Sequence, residues 1–364
     1  MESTLQEMSA QANGVFGLIA NLEHEQIVFF NDVQTGLKAI VGIHNTVLGP
    51  SLGGTRFWNY NNEIDALKDV IRLSRGMTFK SSISGIDLGG GKAVIIGDAS
   101  KLKSVKFWHR YGEFIEGLGG RYITAEDVNT SPDDIALIHQ RTKHVAGLPG
   151  RGGDPSPITA YGVYLGIKAA CKHKFGTDTI AGKIILVQGC GHVGRYLINL
   201  LIKDNAIVKV SDIKDNNIKL VTDVHRVEVI NNDFIFDENI DVYAPCALGA
   251  TLNSDSINRL KCSIVAGAAN NQLEDESVHG QLLSDKNILY APDFLINAGG
   301  VINCYVELEG YDKARALALA EKIYERSIDI FTLADNTNIT THQAALNIAQ
   351  QRIDIKKAGI ISSN

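Results

Sequence analysis

Three polar residues stand out by type and setting. Lys80 closes the run Met77-Thr78-Phe79-Lys80, Lys92 follows three consecutive glycines (Gly89 to Gly91), and Asp127 ends the run Thr124-Ala125-Glu126-Asp127. One ammonium group can hold a substrate carboxylate. A second amine, kept neutral near working pH by burial and a neighbouring cation, can assist water in attacking an iminium carbon. A carboxylate can carry a proton to and from the substrate nitrogen. These are the groups that oxidative deamination of an amino acid needs. Each also has a plainer reading: a lysine in a last helical turn complements the helix dipole, and an aspartate ahead of a helix caps it. Lys92 fits the plainer reading least, because three glycines in a row have nothing to pack and suit a backbone that must approach a ligand or another segment closely.

A second constellation is Gly189-Cys190-Gly191-His192-Val193-Gly194. Glycines at this spacing are a weak signal alone, and a tight turn that binds nothing is the competing reading. Here the run follows an apolar strand, Lys183–Gln188, opens an amphipathic helix, His192–Lys203, and is answered by Asp212 at the end of the next strand, 23 positions past Gly189. In that context Gly189 makes the turn, Gly191 admits a pyrophosphate, and Gly194 lets helix and strand pack closely. The helix N-terminus meets the phosphates. Asp212 would accept the ribose hydroxyls and repel a 2′-phosphate, so NAD is expected rather than NADP.

The elements that position these residues alternate. Strands are expected at Gln26–Asp32, Leu37–Asn45, Ala93–Ile96 and Arg121–Thr124. Helices are expected from Glu63 through Met77, with Asn61 or Asn62 as cap, and over Ser104–Leu118 and Pro132–Gln140. Gly147–Pro157 then holds four glycines and three of the seven prolines, a boundary and hinge. Ser156 before Pro157 reads as an N-cap for a helix over Ile158–Phe175. Further strands at Ile207–Ser211, Val242–Pro245, Ser263–Ala266 and Asn287–Tyr290, and helices at Ala314–Leu333 and Gln343–Ile355, complete an α/β chain. At 364 residues two domains are the natural division. A net charge of −6 argues against nucleic acid or an anionic membrane as partner. Five scattered cysteines without a CxxC pair fit neither a disulfide framework nor a metal site. Met1–Gly14 is polar and acidic, unlike a secretory leader, and no apolar run reaches the roughly 18 residues of a membrane span, so a cytoplasmic protein is expected.

The stretches Leu52-Gly53-Gly54-Thr55-Arg56-Phe57, SRGMTFKSSISGIDLGGGKAVI, ITAEDVNT, GGDPSPITAYGVY, QGCGHVG, APCALGA, AGAANNQL and INAGGVIN resemble, in order and over essentially the whole chain, the amino-acid dehydrogenase family that contains the glutamate, leucine, valine and phenylalanine enzymes. The resemblance implies that Lys80 binds the substrate carboxylate, Lys92 is the catalytic lysine and Asp127 transfers protons. It places Leu52, Gly53, Ala125, Val301 and Cys304 at the substrate, with Asn270 near both substrate and nicotinamide. For the cofactor it implies Gly189, Cys190, Gly191, His192, Val193, Gly194, Arg195, Asp212, Thr159, Cys246 and Asn297. The implied fold is an α/β substrate and oligomerisation domain (residues 1–146), a Rossmann domain (147–335) and a C-terminal helix (336–364) that returns to the first domain. The implied assembly is a homo-oligomer, an octamer among the leucine-oxidising members.

The glutamate members carry a lysine where this chain has Leu52, so a substrate carboxylate side chain would be buried without a cation. Ala125 resembles the branched-chain members, where the phenylalanine members carry glycine. The activity implied is NAD-dependent oxidative deamination of branched-chain L-amino acids, L-leucine first, with a valine- or phenylalanine-oxidising enzyme as alternative. A non-catalytic NAD-binding regulator is the alternative from another class, opposed by the presence of Lys80, Lys92 and Asp127. Three positions depart from the pattern: Cys304 replaces valine, Asn129 replaces glycine, and Tyr305-Val306 replaces Ala-Asp.

Overall fold

The computed structural model describes residues 15–362; the stretch read for a leader, residues 1–14, lies outside them. The chain divides into two units: the first runs through Gly153 and adds Cys304–Tyr311 and the chain from Gln350, and the second is Asp154–Asn303 with Asp312–Ala349.

The first unit is built on five strands, β1 (Gln26–Asp32), β2 (Leu37–Asn45), β3 (Ser51–Trp58), β4 (Gly89–Ile96) and β5 (Tyr122–Glu126), in the order β1-β2-β4-β3-β5. β1 and β2 run antiparallel, β2 is antiparallel to β4, and β3 is parallel to both its neighbours. Helix α1 (Glu63–Ile83) covers one face. Its start follows from Asn62, whose side chain accepts from Asp65 N, and from the acidic Glu63 and Asp65 in the first turn. Ala66, Leu67, Val70 and Ile71 pack on Ile40 and Val94, and the next inward positions, Ser74 and Thr78, are small. They must be, because the sheet presents glycine there: a Cβ at Gly90 would lie 2.0 Å from Thr78 N. Helices α2 (Val105–Glu116) and α3 (Pro132–His139) cover the other face with a core that includes Phe57, Phe107, Trp108 and Tyr111. Ser131 caps α3 with a capping box.

Two ties hold distant segments in this unit: Gly147 and Leu148, which the expected division put in the second domain, and the end of the C-terminal helix, which was expected to return to the first. The buried Glu307 carboxylate accepts from Gly147 N and Leu148 N, each at 3.0 Å, holding both residues in the first unit. Arg352 donates to Ile86 O at 2.8 Å and to Asp87 at 2.7 Å, so the last helix joins the first unit from Gln350 onward.

The second unit opens with α4 (Ser156–Phe175), whose cap position is Pro155 and not Ser156. The Asp154 carboxylate engages Ser156 N, which draws Ser156 into the first turn. Six parallel strands follow: β6 (Ile184–Gln188), β7 (Ile207–Ser211), β8 (Glu228–Val229), β9 (Val242–Pro245), β10 (Ile264–Val265) and β11 (Leu289–Tyr290). Their spatial order is β11-β10-β9-β6-β7-β8, which counted within the unit is 3-2-1-4-5-6, the dinucleotide-binding arrangement. Between β6 and β7 runs α5 (His192–Lys203). After β11 come α6 (Gly299–Leu308), α7 (Lys313–Thr337) and α8 (Thr341–Ser362). No helix among the described residues is long and apolar enough to cross a membrane.

Candidate active site

Lys92 projects from β4 and is only 7% exposed. Its Nζ lies 2.6 Å from Asp127 Oδ2, just beyond β5. β3 runs between those two strands, so the pair must meet across it. Gly53 and Gly54 make that possible: a Cβ at Gly53 would sit 1.7 Å from Gly91 O, and one at Gly54 would sit 2.8 Å from Asp127 Cβ. Thr130 fixes the Asp127 turn, its hydroxyl accepting from Asp127 N at 2.7 Å and donating to Thr55 O at 2.9 Å. Asp127 therefore caps no helix; its carboxylate belongs to Lys92.

The electrostatics follow from burial and charge. Burial pushes the Lys92 ammonium below the ordinary lysine range, and the Asp127 charge only partly restores it. Burial would raise Asp127, but the Lys92 and Arg56 cations outweigh it and hold the carboxylate below its ordinary range. The arrangement favours a lysine that can give up its proton beside a carboxylate that stays ionised.

Lys80 stands in the last turn of α1, two residues past the Thr78 backbone that meets Gly90. Leu52 and Ala125 lie buried on the adjacent strands β3 and β5, Gly53 pairs with Thr124, and Gly54 pairs with Ala125. Val301 is buried on α6 in the second unit, whereas Cys304 groups with the first. Burial pushes the Cys304 thiol up to about 12, so it stays protonated and behaves as a small apolar group. Asn129, where glycine was expected, has φ +56°, and asparagine is among the few residues that tolerate that conformation.

In the second unit the strand order reverses between β6 and β9, which places a crevice at their carboxyl ends. Gly189 leaves β6 with φ +106°, and a Cβ at Gly194 would lie 2.0 Å from Gly189 O, so the helix can pack only on glycine. A Cβ at Gly191 would meet nothing within 4 Å, leaving that side of the turn clear. Gly191 caps α5 without any side-chain bond, so among the described residues no side chain caps the helix's first N–H groups, which are open to an anion. His192 and Val193 form the first turn of α5, and Arg195 donates back to Cys190 O at 3.2 Å.

Asp212 accepts from Cys190 N at 2.7 Å, Lys214 N at 2.8 Å and Asn217 Nδ2 at 3.0 Å. Partial burial opposes the charge, but these bonds outweigh it and hold the carboxylate below its ordinary range. Cys246 follows β9, its N–H donating to Gln188 O at 2.7 Å. Thr159 lies on α4 where Gly299 approaches, a Cβ at Gly299 falling 2.3 Å from Thr159 N. Asn297, 6% exposed, donates to Asn270 Oδ1 at 2.9 Å, while its own Oδ1 has no partner among the described residues. A buried acceptor without a donor is costly, and a carboxamide N–H would satisfy it. The turn, the open helix start, the ionised Asp212 and the Asn297 acceptor together fit NAD.

The residue pattern gave no role to Arg56, Asp69, Tyr60 or Tyr122. Arg56 shares a face of β3 with Gly54 at period two and donates to both Asp127 and Asp69; a charged residue inside an otherwise buried run was the available signal. Tyr122, fully buried, donates to Gly53 O at 2.6 Å and so braces the glycine pair. Nothing in its sequence setting separates it from an ordinary core aromatic.

Comparison with known proteins agrees with both units. Residues 24–144 match the family model described as Glu/Leu/Phe/Val dehydrogenase, dimerisation domain, and residues 153–217 and 208–358 match that described as Glutamate/Leucine/Phenylalanine/Valine dehydrogenase. The chain is 46% identical to a leucine dehydrogenase of Thermoactinomyces intermedius over 94% of each chain. It is 47% identical to a leucine dehydrogenase of Bacillus subtilis, over 93% of this chain and 94% of that protein. The crystal structure of an L-tryptophan dehydrogenase from Nostoc punctiforme superposes with a TM-score of 0.85 at 43% identity, covering 94% of this chain and 100% of that one.

Proposed function

Since the chain belongs to the glutamate/leucine/phenylalanine/valine dehydrogenase family and is an amino-acid dehydrogenase that uses NAD, we propose that it oxidises branched-chain L-amino acids, L-leucine foremost, to the 2-oxo acid with release of ammonia. The carrying observation is the buried Lys92–Asp127 pair, held at 2.6 Å across a strand cleared by Gly53 and Gly54.

Lys80 is assigned to the substrate carboxylate. Asp127, ionised, takes a proton from the substrate ammonium and leaves the free amine. NAD, when bound, supplies the hydride acceptor. Lys92, made easier to deprotonate by burial, then takes a proton from water as it adds to the iminium carbon, and returns one to the departing ammonia. In the second unit Asp212 and the α5 start would hold the adenosine and pyrophosphate ends, and Asn297 the carboxamide.

Leucine rests on two buried positions. Leu52 offers no cation to an acidic side chain, and the methyl of Ala125 takes up room that an aromatic ring would need. A reading toward aromatic substrates is supported by the likeness to the L-tryptophan enzyme. Initial rates with NAD on L-leucine, L-isoleucine, L-valine, L-phenylalanine and L-tryptophan decide between them; kcat/KM is expected highest on L-leucine, and a higher value on either aromatic overturns the assignment. The same reading makes the working form a cytoplasmic homo-oligomer, an octamer by family resemblance, with the dimerisation-domain match of residues 24–144 in support.

A further inference from the structure

Arg56 sits between two carboxylates. Its Nε donates to Asp127 Oδ2 at 3.3 Å and its Nη1 to Asp69 Oδ2 at 2.9 Å. Asp69 is itself held, accepting from Tyr60 OH at 2.6 Å and Arg72 Nη2 at 3.1 Å. The Arg56 and Asp69 side chains are 24% and 15% exposed, so neither is an ordinary surface charge. Three elements meet here: Arg56 on β3, Asp69 on α1, and Asp127 beyond β5.

We propose that Arg56 and Asp69 are positioning residues for the reaction, Arg56 fixing the Asp127 carboxylate against Lys92 and Asp69 fixing Arg56, so that two groups outside the reacting pair set when that pair exchanges its proton. The proposal rests on the assignment of Lys92 and Asp127 above. A guanidinium suits the task because its fork spans two carboxylates and it does not lose its proton in this range. With Lys92 charged, the four groups Lys92, Arg56, Asp127 and Asp69 sum to zero; with Lys92 neutral they carry one negative charge, and Arg56 keeps Asp127 ionised. The Arg56 charge works against the proton on Lys92 and the Asp69 charge works for it. The other titratable groups facing the cluster are Tyr60 and Arg72 beside Asp69, and Tyr122 from β5. Burial holds both tyrosines above their ordinary range, so neither titrates where the enzyme works.

The test is kcat against pH for the full-length enzyme with saturating L-leucine and NAD, in Arg56→Gln, Asp69→Asn, the double variant and Lys92→Ala. Arg56→Gln is expected to move the midpoint of the limb on which kcat rises with pH, where Lys92 gives up its proton, up by about one pH unit, which is about a tenfold lower rate at a fixed pH on that limb. Asp69→Asn is expected to move it down, and the double variant to return toward the parent. A purely structural role would lower kcat without opposite midpoint shifts, and that result, or shifts of the same sign, overturns the proposal. Arg56→Lys keeps the charge but loses the fork, so it should retain the midpoint and lose kcat; a shifted midpoint counts against the proposal, and with Asp69→Asn it decides the matter should Arg56→Gln fail to fold. Turnover surviving in Lys92→Ala would sink the underlying assignment. A dead Lys92→Ala beside unmoved midpoints in the other variants would sink the relay alone.

Discussion

Replacing Asp127 by asparagine strips a buried ammonium of its partner while changing the shape of the site little. Among the described residues Asp127 is the ion-pair partner of Lys92, whose side chain is 8% exposed, and the Arg56 guanidinium remains nearby. Removing one member of a buried pair costs about 3–5 kcal/mol when the survivor stays charged. Lys92 can escape by losing its proton, which caps the penalty. Taking a lysine from its ordinary 10.5 to the neutral form near pH 7 costs about 1.4 kcal/mol for each of roughly 3.5 pH units, or about 5 kcal/mol. Burial has already imposed part of that in the parent, so the variant should lose about 3–4 kcal/mol near neutrality.

The pH dependence has a definite direction. The Asp127 charge raises the Lys92 value in the parent, so without it the variant's folded lysine lies lower still; between those two folded values the parent holds a proton that the variant has lost, and the deficit shrinks with rising pH by about 1.4 kcal/mol per unit. Thermal melts of Asp127→Asn and parent at neutral and alkaline pH measure this directly. For a unit of this size the neutral-pH deficit corresponds to roughly 6–16 °C in Tm, and it should narrow markedly about two units higher. A deficit that stays the same across that range would refute the argument, because it would mean that the lost stability has nothing to do with the charge on Lys92.

Two further outcomes bear on the cofactor. Gly194→Ala places a Cβ where Gly189 O already lies at 2.0 Å, so α5 must move off β6; NADH affinity by fluorescence titration should weaken at least about tenfold, and unchanged binding would contradict the packing argument. Asp212→Ser removes the ionised group that disfavours a 2′-phosphate but also releases Cys190 N and Lys214 N, so kcat/KM should fall with NAD and the preference for NAD over NADP should drop by roughly tenfold or more; an unaltered preference would remove Asp212 from that role.

What could be read from the residues depended on how much of each element is decided locally. The backbone of the nucleotide turn was legible because Gly194 packs on Gly189 O five residues back and Asp212 accepts from Cys190 N, whereas the contact of Gly189 with Cys246 and Ala247 left no local signal. α1 was legible from its period and its Asn62 cap. β10 and β11 fall inside the strands expected at Ser263–Ala266 and Asn287–Tyr290, whereas β8, two residues held only by pairing with β7 among the described residues, left no such signal. The placement of Ser156 as a cap failed because the Asp154 carboxylate, two residues upstream, engages its N–H first. The division between the units after Gly153 falls inside the glycine- and proline-rich stretch Gly147–Pro157, and Glu307, far along the chain, holds Gly147 and Leu148 in the first unit.

The instructive failure is β3. Ser51–Trp58 carries Gly53-Gly54 at its centre, and glycine weakens a strand, so nothing local marks it as one. Likewise Gly89–Gly91 suggested a loop leading into a strand at Ala93, whereas β4 already begins at Gly89. Both segments hold because ladders on either side supply the order that their own side chains do not. The two misreadings have one cause. Side chains at Gly53 and Gly54 would strengthen the strand and would also occupy the space through which Lys92 reaches Asp127. A central strand with a bare middle is a poor strand by composition and a good one for letting two charged groups on its neighbours touch. Local propensity was given up at the point where the chemistry needs room, so the site was easiest to see in its polar residues and hardest to see in the strand that lets them meet.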